Sequence, residues 1–221
     1  MRYGGVSEGV HESLNGKRDG IDSGSNVTEN RSRAFKALFP GSDPGNRVVF
    51  IGGVFKTNIL QAAEPGGFDN YDAAISTDNN LVLAQATADC ASVIISDTNH
   101  KVVALVHGSW HTLKDQIISK TIAQLKETER VGELAAGIGP MVCPKCYEFG
   151  PEAKNLFDGK YLAPKGKKYL VNTRQMVLDQ LQAGGVKQVD DLNICTIEDE
   201  RFFSARRLGQ ESGRFLTLAS L

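Results

Sequence analysis

Residues 81–108, LVLAQATADCASVIISDTNHKVVALVHG, contain three apolar runs that decide the fold. Each run has the length and the apolar composition of a buried strand, and the runs span residues 81–87, 91–97 and 102–107. Only the polar residues 98–101 separate the second run from the third. Because a connection this short joins antiparallel neighbours, we predict a β-hairpin over residues 91–107.

The open end of this hairpin brings a cysteine and a histidine together. Pairing of Asp97 with Val102 across the turn sets the register. Ser92 then lies opposite His107, and Cys90 lies two residues further out on the same face. Diagonal neighbours on one face lie about 7–8 Å apart by backbone, so their side chains meet. Such a pair suits either a thiolate nucleophile activated by an imidazole or two of the three protein ligands of a catalytic zinc.

The remaining patterns place strands and helices around the hairpin in no regular alternation. Asn26 begins one predicted helix as its N-cap, and Thr112 begins a second. Further strands are predicted at 47–51, 137–142 and 192–196, a further helix at 170–181, and a loop connection at 66–70. This mixture favours an α+β fold with mixed and antiparallel sheets and flanking helices.

Composition and charge exclude several classes of partner. The chain has 221 residues, with 25 basic and 26 acidic side chains and a formal net charge of -1, so no positive field attracts nucleic acid or a membrane surface. No apolar run approaches the roughly 20 residues of a spanning helix, and residues 1–5 lack the apolar block of a signal peptide. We therefore expect a single cytoplasmic domain. Its four cysteines are too few for a disulfide framework.

The segments around Cys90 and His107 resemble a known family. Thr87-Ala88-Asp89-Cys90, followed by an apolar strand and Val106-His107-Gly108-Ser109-Trp110, resembles the YfiH-type laccase-domain family. Further segments agree in the same order along the chain: Gly5-Val6-Ser7, Ser13-Leu14-Asn15, Glu29-Asn30-Arg31, Gly137-Ile138-Gly139-Pro140, Cys146-Tyr147-Glu148, Phe202-Phe203-Ser204-Ala205-Arg206-Arg207 and Gly213-Arg214. The resemblance runs from residue 4 to residue 214 and implies one YfiH-like laccase domain over residues 1–221.

The resemblance also implies an activity. Members of this family were first labelled multicopper polyphenol oxidases and are now regarded as purine nucleoside phosphorylases. A similar chain would be a transferase or hydrolase that acts on adenosine-like nucleosides, with phosphate or water as the acceptor. Its catalytic residues would be Cys90 and His107, and its partners a small-molecule nucleoside and phosphate.

Basic side chains on the first helix and near the C-terminus are candidates for substrate binding. Arg206, with Arg207 and Arg214, suits phosphate because a guanidinium presents paired donors to an oxyanion. Asn30 and Arg31 form a second candidate anion site. Arginines beside aromatic residues are also common structural groups, and Asn30 and Arg31 also fit a solvated helix face, so both interpretations stay open.

The metal site implied by the resemblance is incomplete in this chain. The family's ligands resemble a His, Cys, His trio, of which Cys90 and His107 match the last two. Phe55, within Gly53-Val54-Phe55-Lys56, occupies the place of the first histidine. Zinc is the implied metal and copper is less favoured, but phenylalanine has no donor and two protein ligands rarely hold zinc tightly. Either His111 or His11 completes the site, or the metal has been abandoned.

Three functions are consistent with these observations. A purine nucleoside enzyme would use Cys90 and His107 with or without zinc. A metal-free cysteine hydrolase or deamidase would use the same pair as nucleophile and base, which fits a distant kinship between this family and toxin-type deamidases. A catalytically degenerate homologue would bind a nucleoside or a peptidoglycan precursor without turnover. The sequence leaves this choice and the oligomeric state open.

Other cysteine and aromatic residues have simpler interpretations. Cys143-Pro144-Lys145-Cys146 is half of a zinc-ribbon site, but a tetrahedral site requires two more ligands and the sequence contains no second pair. We therefore predict a structural role for Cys146, an extra thiol at Cys143 and a core position for Cys195. Trp110 either stacks on a purine or anchors the core, and His100 is exposed in the turn.

Overall fold

The hairpin predicted from the sequence lies at the centre of the structure. The computed structural model describes residues 24–41, 46–129, 131–209 and 212–221. Ser92 pairs with His107, and the amide of Asp97 donates to the carbonyl of Val102 over 3.4 Å. The predicted register, which places Cys90 on the face of His107, is therefore confirmed.

A six-stranded sheet extends from the hairpin on both sides. Its strands are β2 (Ile59–Gln61), β4 (Ala73–Ser76), β6 (Ala91–Asp97), β7 (Val103–Gly108), β8 (Leu134–Ile138) and β12 (Gln188–Asp191). Their order across the sheet is β12-β8-β6-β7-β4-β2. The four central strands pair antiparallel, and each edge strand pairs parallel with its neighbour. This mixed sheet, flanked by helices, confirms the predicted α+β class.

A four-stranded sheet covers one face of the six-stranded sheet. It consists of β1 (Val48–Gly52), β3 (Gly66–Asp69), β5 (Val82–Thr87) and β13 (Phe215–Ala219), in the order β13-β5-β1-β3. Val103 and Leu105 of β7 share a buried cluster with Val49 and Leu83 of this second sheet. Because side chains alternate along a strand, His107 lies on the same face of β7 as Val103 and Leu105.

Helices cover the other face of the six-stranded sheet. They are α2 (Trp110–Lys114), α3 (Ile117–Leu125) and α5 (Thr173–Ala183). Their buried Leu113, Ile118 and Leu181 join Val93 and Val106 of the sheet in the main core. The remaining elements are α1 (Gly24–Leu38), α4 (Ala153–Leu156), α6 (Ala205–Leu208) and an antiparallel sheet of β9 (Glu148–Phe149), β10 (Leu162–Lys165) and β11 (Lys168–Val171). None of the helices in the described segments has the length and apolar character needed to cross a membrane.

The topology gathers several strand ends at one edge of the six-stranded sheet. β4 and β6 begin where β7 ends, because both pair antiparallel with β7. Asp72 immediately precedes β4, and His107 lies near the end of β7. β5 ends close by and leads through Ala88 and Asp89 to Cys90, which immediately precedes β6. The fold therefore delivers a carboxylate, a thiol and an imidazole to one place.

The second predicted helix is divided into two. Ser109, rather than Thr112, is its N-cap, and the Ser109 hydroxyl accepts the amide of Thr112 over 3.2 Å. The Thr112 hydroxyl instead donates to the carbonyl of His107 over 2.8 Å and ties α2 to β7. Gln116 then adopts a left-handed conformation, with φ of 63°, between α2 and α3. The predicted start at Thr112 is wrong because a capping serine precedes it.

One predicted connection and one predicted strand are wrong. Residues 66–70, predicted as a connection, contribute β3, which pairs parallel with β1 in spite of its glycines. Residues 192–196, predicted as a strand, contribute only a bridge between Met141 and Cys195, because the edge strand β12 ends at Asp191.

Other boundaries shift by a few residues. β8 begins at Leu134 and ends at Ile138, whereas the pattern predicts residues 137–142. α5 begins at Thr173 rather than at residue 170, because the chain up to Val171 is part of β11. α1 begins at Gly24, two residues before the predicted cap.

Candidate active site

His107 and Asp72 form the central contact of the site. Nδ1 of His107 lies 2.7 Å from Oδ1 of Asp72, and the Asp72 side chain is completely buried. The backbones pair as well, since the amide of His107 donates to the carbonyl of Asp72 over 2.7 Å. Because Asp72 engages Nδ1, the other ring nitrogen, Nε2, is left for Cys90.

The loop before β2 satisfies the remaining hydrogen-bonding capacity of Asp72. Its carboxylate accepts the amides of Val54 and Phe55, each over 3.3 Å, and the amide of Lys56 over 2.8 Å. A carboxylate removed from water requires such donors, because an unpaired buried charge is strongly destabilising. The same loop leaves room for the imidazole, since Gly53 has no side chain. Asp72 is therefore held as a fixed acceptor that orients His107.

Cys90 and Asp72 both act on the imidazole of His107. Burial by itself lowers the pKa of His107, but hydrogen bonds and charge interactions with Asp72 and Cys90 outweigh burial and raise the pKa from 6.5 to about 10. His107 therefore carries a proton at neutral pH. Cys90 is a half-buried free thiol beside it, so the predicted meeting of the two side chains is found.

The turn before Cys90 is strained, and the side chain of Asp89 in this turn anchors it. Asp89 has a left-handed backbone with φ of 83°, a conformation that costs a residue other than glycine roughly 1–3 kcal/mol. Its carboxylate accepts the hydroxyl of Thr196 over 2.6 Å and the amide of Arg206 over 2.8 Å. Its carbonyl accepts the amide of Val142 over 3.0 Å. These contacts hold the strained turn that points Cys90 at His107.

A cavity of about 240 Å³ opens in front of the thiol. Aromatic side chains dominate its walls, which are formed by Phe55, Ala88, Asp89, Cys90, Ser109, Trp110, His111, Tyr147, Ala205 and Arg206. The rings of Trp110 and His111 stack with centroids 3.5 Å apart, and the ring of Phe55 lies 5.2 Å from that of His111. Burial, together with the charge of Lys114, lowers the pKa of His111. The cavity thus presents flat rings to a ligand.

Arg206 is the only arginine among the residues that line this cavity. Its guanidinium lies 4.8 Å from the ring centre of Tyr147 and 5.2 Å from that of Phe149, and it donates to the carbonyl of Glu148 over 3.0 Å. The side chain is otherwise exposed, so a cation is positioned at the cavity entrance.

The other predicted binding residues lie elsewhere. Arg207 donates to the backbone carbonyls of Thr196, Ile197 and Phe202, all within 2.7 Å. Arg214 donates to the carbonyls of Ser212 and Gly213. Arg31 lies over the ring of Phe50, 4.3 Å from its centre, and neither Asn30 nor Arg31 lines the cavity. The guanidinium groups of Arg207 and Arg214 therefore bind backbone carbonyls, and neither residue lines the cavity.

The structure describes Trp110 and three of the four histidines of the chain. His111 and Trp110 line the cavity, and Trp110 also packs on Phe157 of the core. His100 is exposed in the turn, as predicted. His11 lies outside the described residues.

Cys90 and His107 do not form a complete metal site with other described residues. Phe55, which the family resemblance puts in the place of the first histidine ligand, has its ring centre 5.8 Å from that of His107. In the described parts of the chain, one group of three or more potential ligands is close enough for a metal ion, and it consists of Cys143, Cys146, Cys195 and Glu198. A catalytic zinc needs three protein ligands, so Cys90 and His107, the two donors that meet here among the described residues, do not fit it by themselves.

The sequence gives no clear sign of Asp72 or Gly53. Asp72 is a single acid 35 residues before His107, and no spacing rule joins the two. Gly53 is one of 23 glycines. One signal is available in the sequence: Asp72 directly precedes the apolar run 73–75. A residue in that position lies at the end of a strand.

Comparison with known proteins identifies the class of protein that carries this fold and this site. The family model described as "Multi-copper polyphenol oxidoreductase laccase" matches residues 1–221, so the chain belongs to this laccase-domain family. A Shigella flexneri protein named purine nucleoside phosphorylase YfiH is 32% identical over 214 residues, covering 93% of this chain and 86% of its own. A purine nucleoside phosphorylase of Xylella fastidiosa is 30% identical over 235 residues, covering 97% of this chain and 87% of its own.

Solved structures show the same fold. A crystal structure of a Neisseria meningitidis protein has a TM-score of 0.83 and 27% identity, covering 100% of this chain and 91% of that one. The Bacillus licheniformis protein YfiH has a TM-score of 0.86 at 19% identity, covering 100% and 90% of the two chains. At that identity the second likeness is one of fold alone.

Replacement of Gly53 should separate the imidazole from the carboxylate. A Cβ at this position would overlap Nδ1 of His107 and lie 2.8 Å from Oδ1 of Asp72. We expect Gly53→Ala to lower the pKa of His107 toward 6.5 and to destabilise the fold by about 1–3 kcal/mol. An NMR titration of the imidazole and urea denaturation measure the two effects. Gly159→Ala, whose Cβ meets nothing within 4 Å, is the control, and an unaltered His107 titration in Gly53→Ala would contradict the prediction.

Replacement of Phe55 by histidine should complete the metal site. Phe55 has a left-handed backbone, with φ of 60°, which histidine adopts more readily than most residues. We expect Phe55→His to bind one more equivalent of zinc per chain than the wild type, because it supplies the third ligand beside Cys90 and His107. Elemental analysis after equilibration with zinc and gel filtration measures the difference. Equal zinc content in the two proteins would show that Phe55 does not limit the site.

Proposed function

We propose that this protein cleaves purine nucleosides by phosphorolysis, using Cys90, His107 and Asp72 without a metal at that site. The observation that carries the proposal is the oriented, protonated imidazole beside a thiol at an aromatic cavity. The names of the relatives support the substrate class, because two proteins with at least 30% identity are called purine nucleoside phosphorylases. The four free thiols suit a reducing compartment, and we place the reaction in the cytoplasm.

The cavity provides the features that a nucleoside requires. Phe55, Trp110 and Tyr147 supply apolar ring faces on which a purine base stacks. A volume of about 240 Å³ lies just below the roughly 300–1,000 Å³ common for small-molecule sites and suits a compact heterocycle. Arg206 at the entrance supplies the positive charge for phosphate. In this arrangement the ribose lies between the base and the phosphate, close to Cys90.

Each catalytic side chain has one role in the proposed reaction. His107 donates its proton to the purine ring as the bond between the ribose C1′ and the base nitrogen breaks. A phosphate oxygen forms the new bond to C1′, and the proton of hydrogen phosphate returns to His107. Cys90, beside the imidazolium, presents its polarisable sulfur to the positive charge that develops on the ribose. Asp72 is a positioning residue that keeps His107 oriented and charged.

A second candidate function uses the same array differently. A cysteine, a histidine and a buried orienting carboxylate are the components of a cysteine hydrolase, in which the thiolate attacks a carbonyl or an amidine carbon. Such an enzyme would act on amides or would deaminate adenosine to inosine. A third candidate, a binding protein without turnover, would retain nucleoside affinity when Cys90 is removed.

Product analysis separates the three candidates. We expect the wild type to convert adenosine or inosine to the free base, with sugar phosphate appearing only when phosphate is present. Inosine from adenosine, without release of base, would instead favour the deaminase. Binding without any product would contradict both enzymatic proposals.

Matched histidine variants test the role of His107 in the same assay. We expect His107→Gln to lose roughly 10²–10⁴-fold in rate because it removes the proton donor. His100→Gln, in an exposed turn, should retain full activity. Equal rates in these two variants would exclude the proposed mechanism.

The pH profile tests the role of Asp72. The pKa of His107 is raised to about 10, so the proton-donating form persists through neutral pH and is lost as the pH rises through that value. The Asp72→Asn variant lacks the carboxylate that raises the pKa of His107, so the pKa of His107 falls. We therefore expect the alkaline limb of the kcat profile to move to lower pH. The rate above about pH 8 should drop roughly 10²-fold, with a smaller loss in acid. Asp190→Asn, at an exposed site on β12, should keep the wild-type profile. A uniform loss at every pH would contradict this role.

A further inference from the structure

Three cysteines and a glutamate form a second cluster outside the catalytic array. Cys143, Cys146, Cys195 and Glu198 place one sulfur or carboxylate oxygen each within 4.8 Å of all the others. We propose that these four side chains bind a zinc ion that fixes the loops behind the active-site cavity. The sequence contains no second Cys-x-x-Cys pair, but the fold brings Cys195 and Glu198 to Cys143 and Cys146 from 52 residues away.

Two short turns present the ligands with equal spacing. The amide of Cys146 donates to the carbonyl of Cys143 over 3.0 Å and closes the first turn. The amide of Asp199 donates to the carbonyl of Cys195 over 2.9 Å and closes the second. In each turn two residues separate the ligands, as in Cys-x-x-Cys zinc sites. The second turn ends in Glu198, whose carboxylate is also an ordinary zinc ligand.

The distances require little rearrangement for zinc. Bonds of about 2.3 Å to a tetrahedral zinc place two sulfur atoms about 3.8 Å apart. The Sγ of Cys146 already lies 3.6 Å from a carboxylate oxygen of Glu198. The amide of Cys143 donates to the Sγ of Cys195 over 3.4 Å, a contact that favours a thiolate ligand. Three soft sulfur donors with one oxygen suit zinc better than magnesium or calcium.

Backbone contacts hold the two turns together without help from the ligands. Met141 donates to the carbonyl of Ile194 over 3.1 Å and accepts the amide of Thr196 over 3.2 Å. Arg207 donates to the carbonyls of Thr196 and Ile197, each over 2.7 Å, from behind the second turn. These contacts bring the two turns together before zinc binds, and the zinc ion would add a further link between their side chains.

The cluster is connected to the catalytic cavity on two sides. Tyr147, a wall of the cavity, directly follows Cys146. Thr196 directly follows Cys195 and donates to the carboxylate of Asp89, the strained residue before the catalytic cysteine. A zinc ion here would restrain both the wall and the strained turn, so it positions the site without touching substrate.

Cobalt and zinc titrations of the metal-free, reduced full-length protein test this proposal without substrate, so the result does not depend on the nucleoside reaction. We expect the wild type to bind one cobalt ion with sulfur-to-metal charge-transfer bands and tetrahedral d–d bands, and zinc to displace it. Cys146→Ser should lose these bands. Cys90→Ser, which removes a thiol outside the cluster, is the matched control and should retain them.

Glu198→Gln keeps the test decisive if Cys146→Ser does not fold, because Glu198 is exposed and its substitution leaves the core intact. We expect it to weaken zinc binding by at least the roughly 10–100-fold that changes around metal ligands cause. Unchanged affinity in Glu198→Gln would overturn the proposal. Absence of cobalt–sulfur bands in the wild type, or their loss in Cys90→Ser, would overturn it as well. A Cys143–Cys146 disulfide found by mass spectrometry, with no metal uptake after reduction, would identify a redox pair instead.

Discussion

The hydrogen bond between His107 and Asp72 is the interaction on which the rest of the site depends. A carboxylate with no exposed surface is stable only because the imidazole and three amides of residues 54–56 surround it. Those donors require the loop after β1 to fold back over β4, and that loop passes the imidazole at Gly53. The pairing of β4 with β7 supplies the same contact in the backbone. The strand pairing that sets the sheet register therefore also brings the side chains of Asp72 and His107 together.

Two walls of the cavity are supported by different parts of the structure. The wall that carries Phe55 is tied to the Asp72 carboxylate, and the wall that carries Tyr147 belongs to the loops of the cysteine cluster. Asp89 links the second wall to the thiol. Phe55 and Asp89 both have left-handed backbones, so strain is concentrated on either side of Cys90. Hydrogen bonds accepted by the carboxylates of Asp72 and Asp89 hold the two strained residues in place.

Whether a feature could be predicted from the sequence depends on how far apart its residues lie along the chain. The meeting of Cys90 and His107 could be predicted because a four-residue turn fixes their register. Asp72 could not, because it joins β7 from the other side and no local pattern marks it. For the same reason, Cys195 and Glu198 could not be predicted as neighbours of Cys143 and Cys146. The two pairs are 52 residues apart and meet only where two loops contact each other. β3 was missed because glycines normally signal a connection, whereas here β1 supplies a pairing edge.

The hydrogen bonds of the Asp89 carboxylate determine when, during folding, the turn before Cys90 becomes fixed. Its carboxylate is held by Thr196 and by Arg206, which are 107 and 117 residues further along the chain. The hairpin itself is local and forms early, but contacts this distant are slow because a long segment must close first. A nascent chain or a fragment that ends before residue 196 therefore lacks the hydrogen bonds that orient the turn before Cys90.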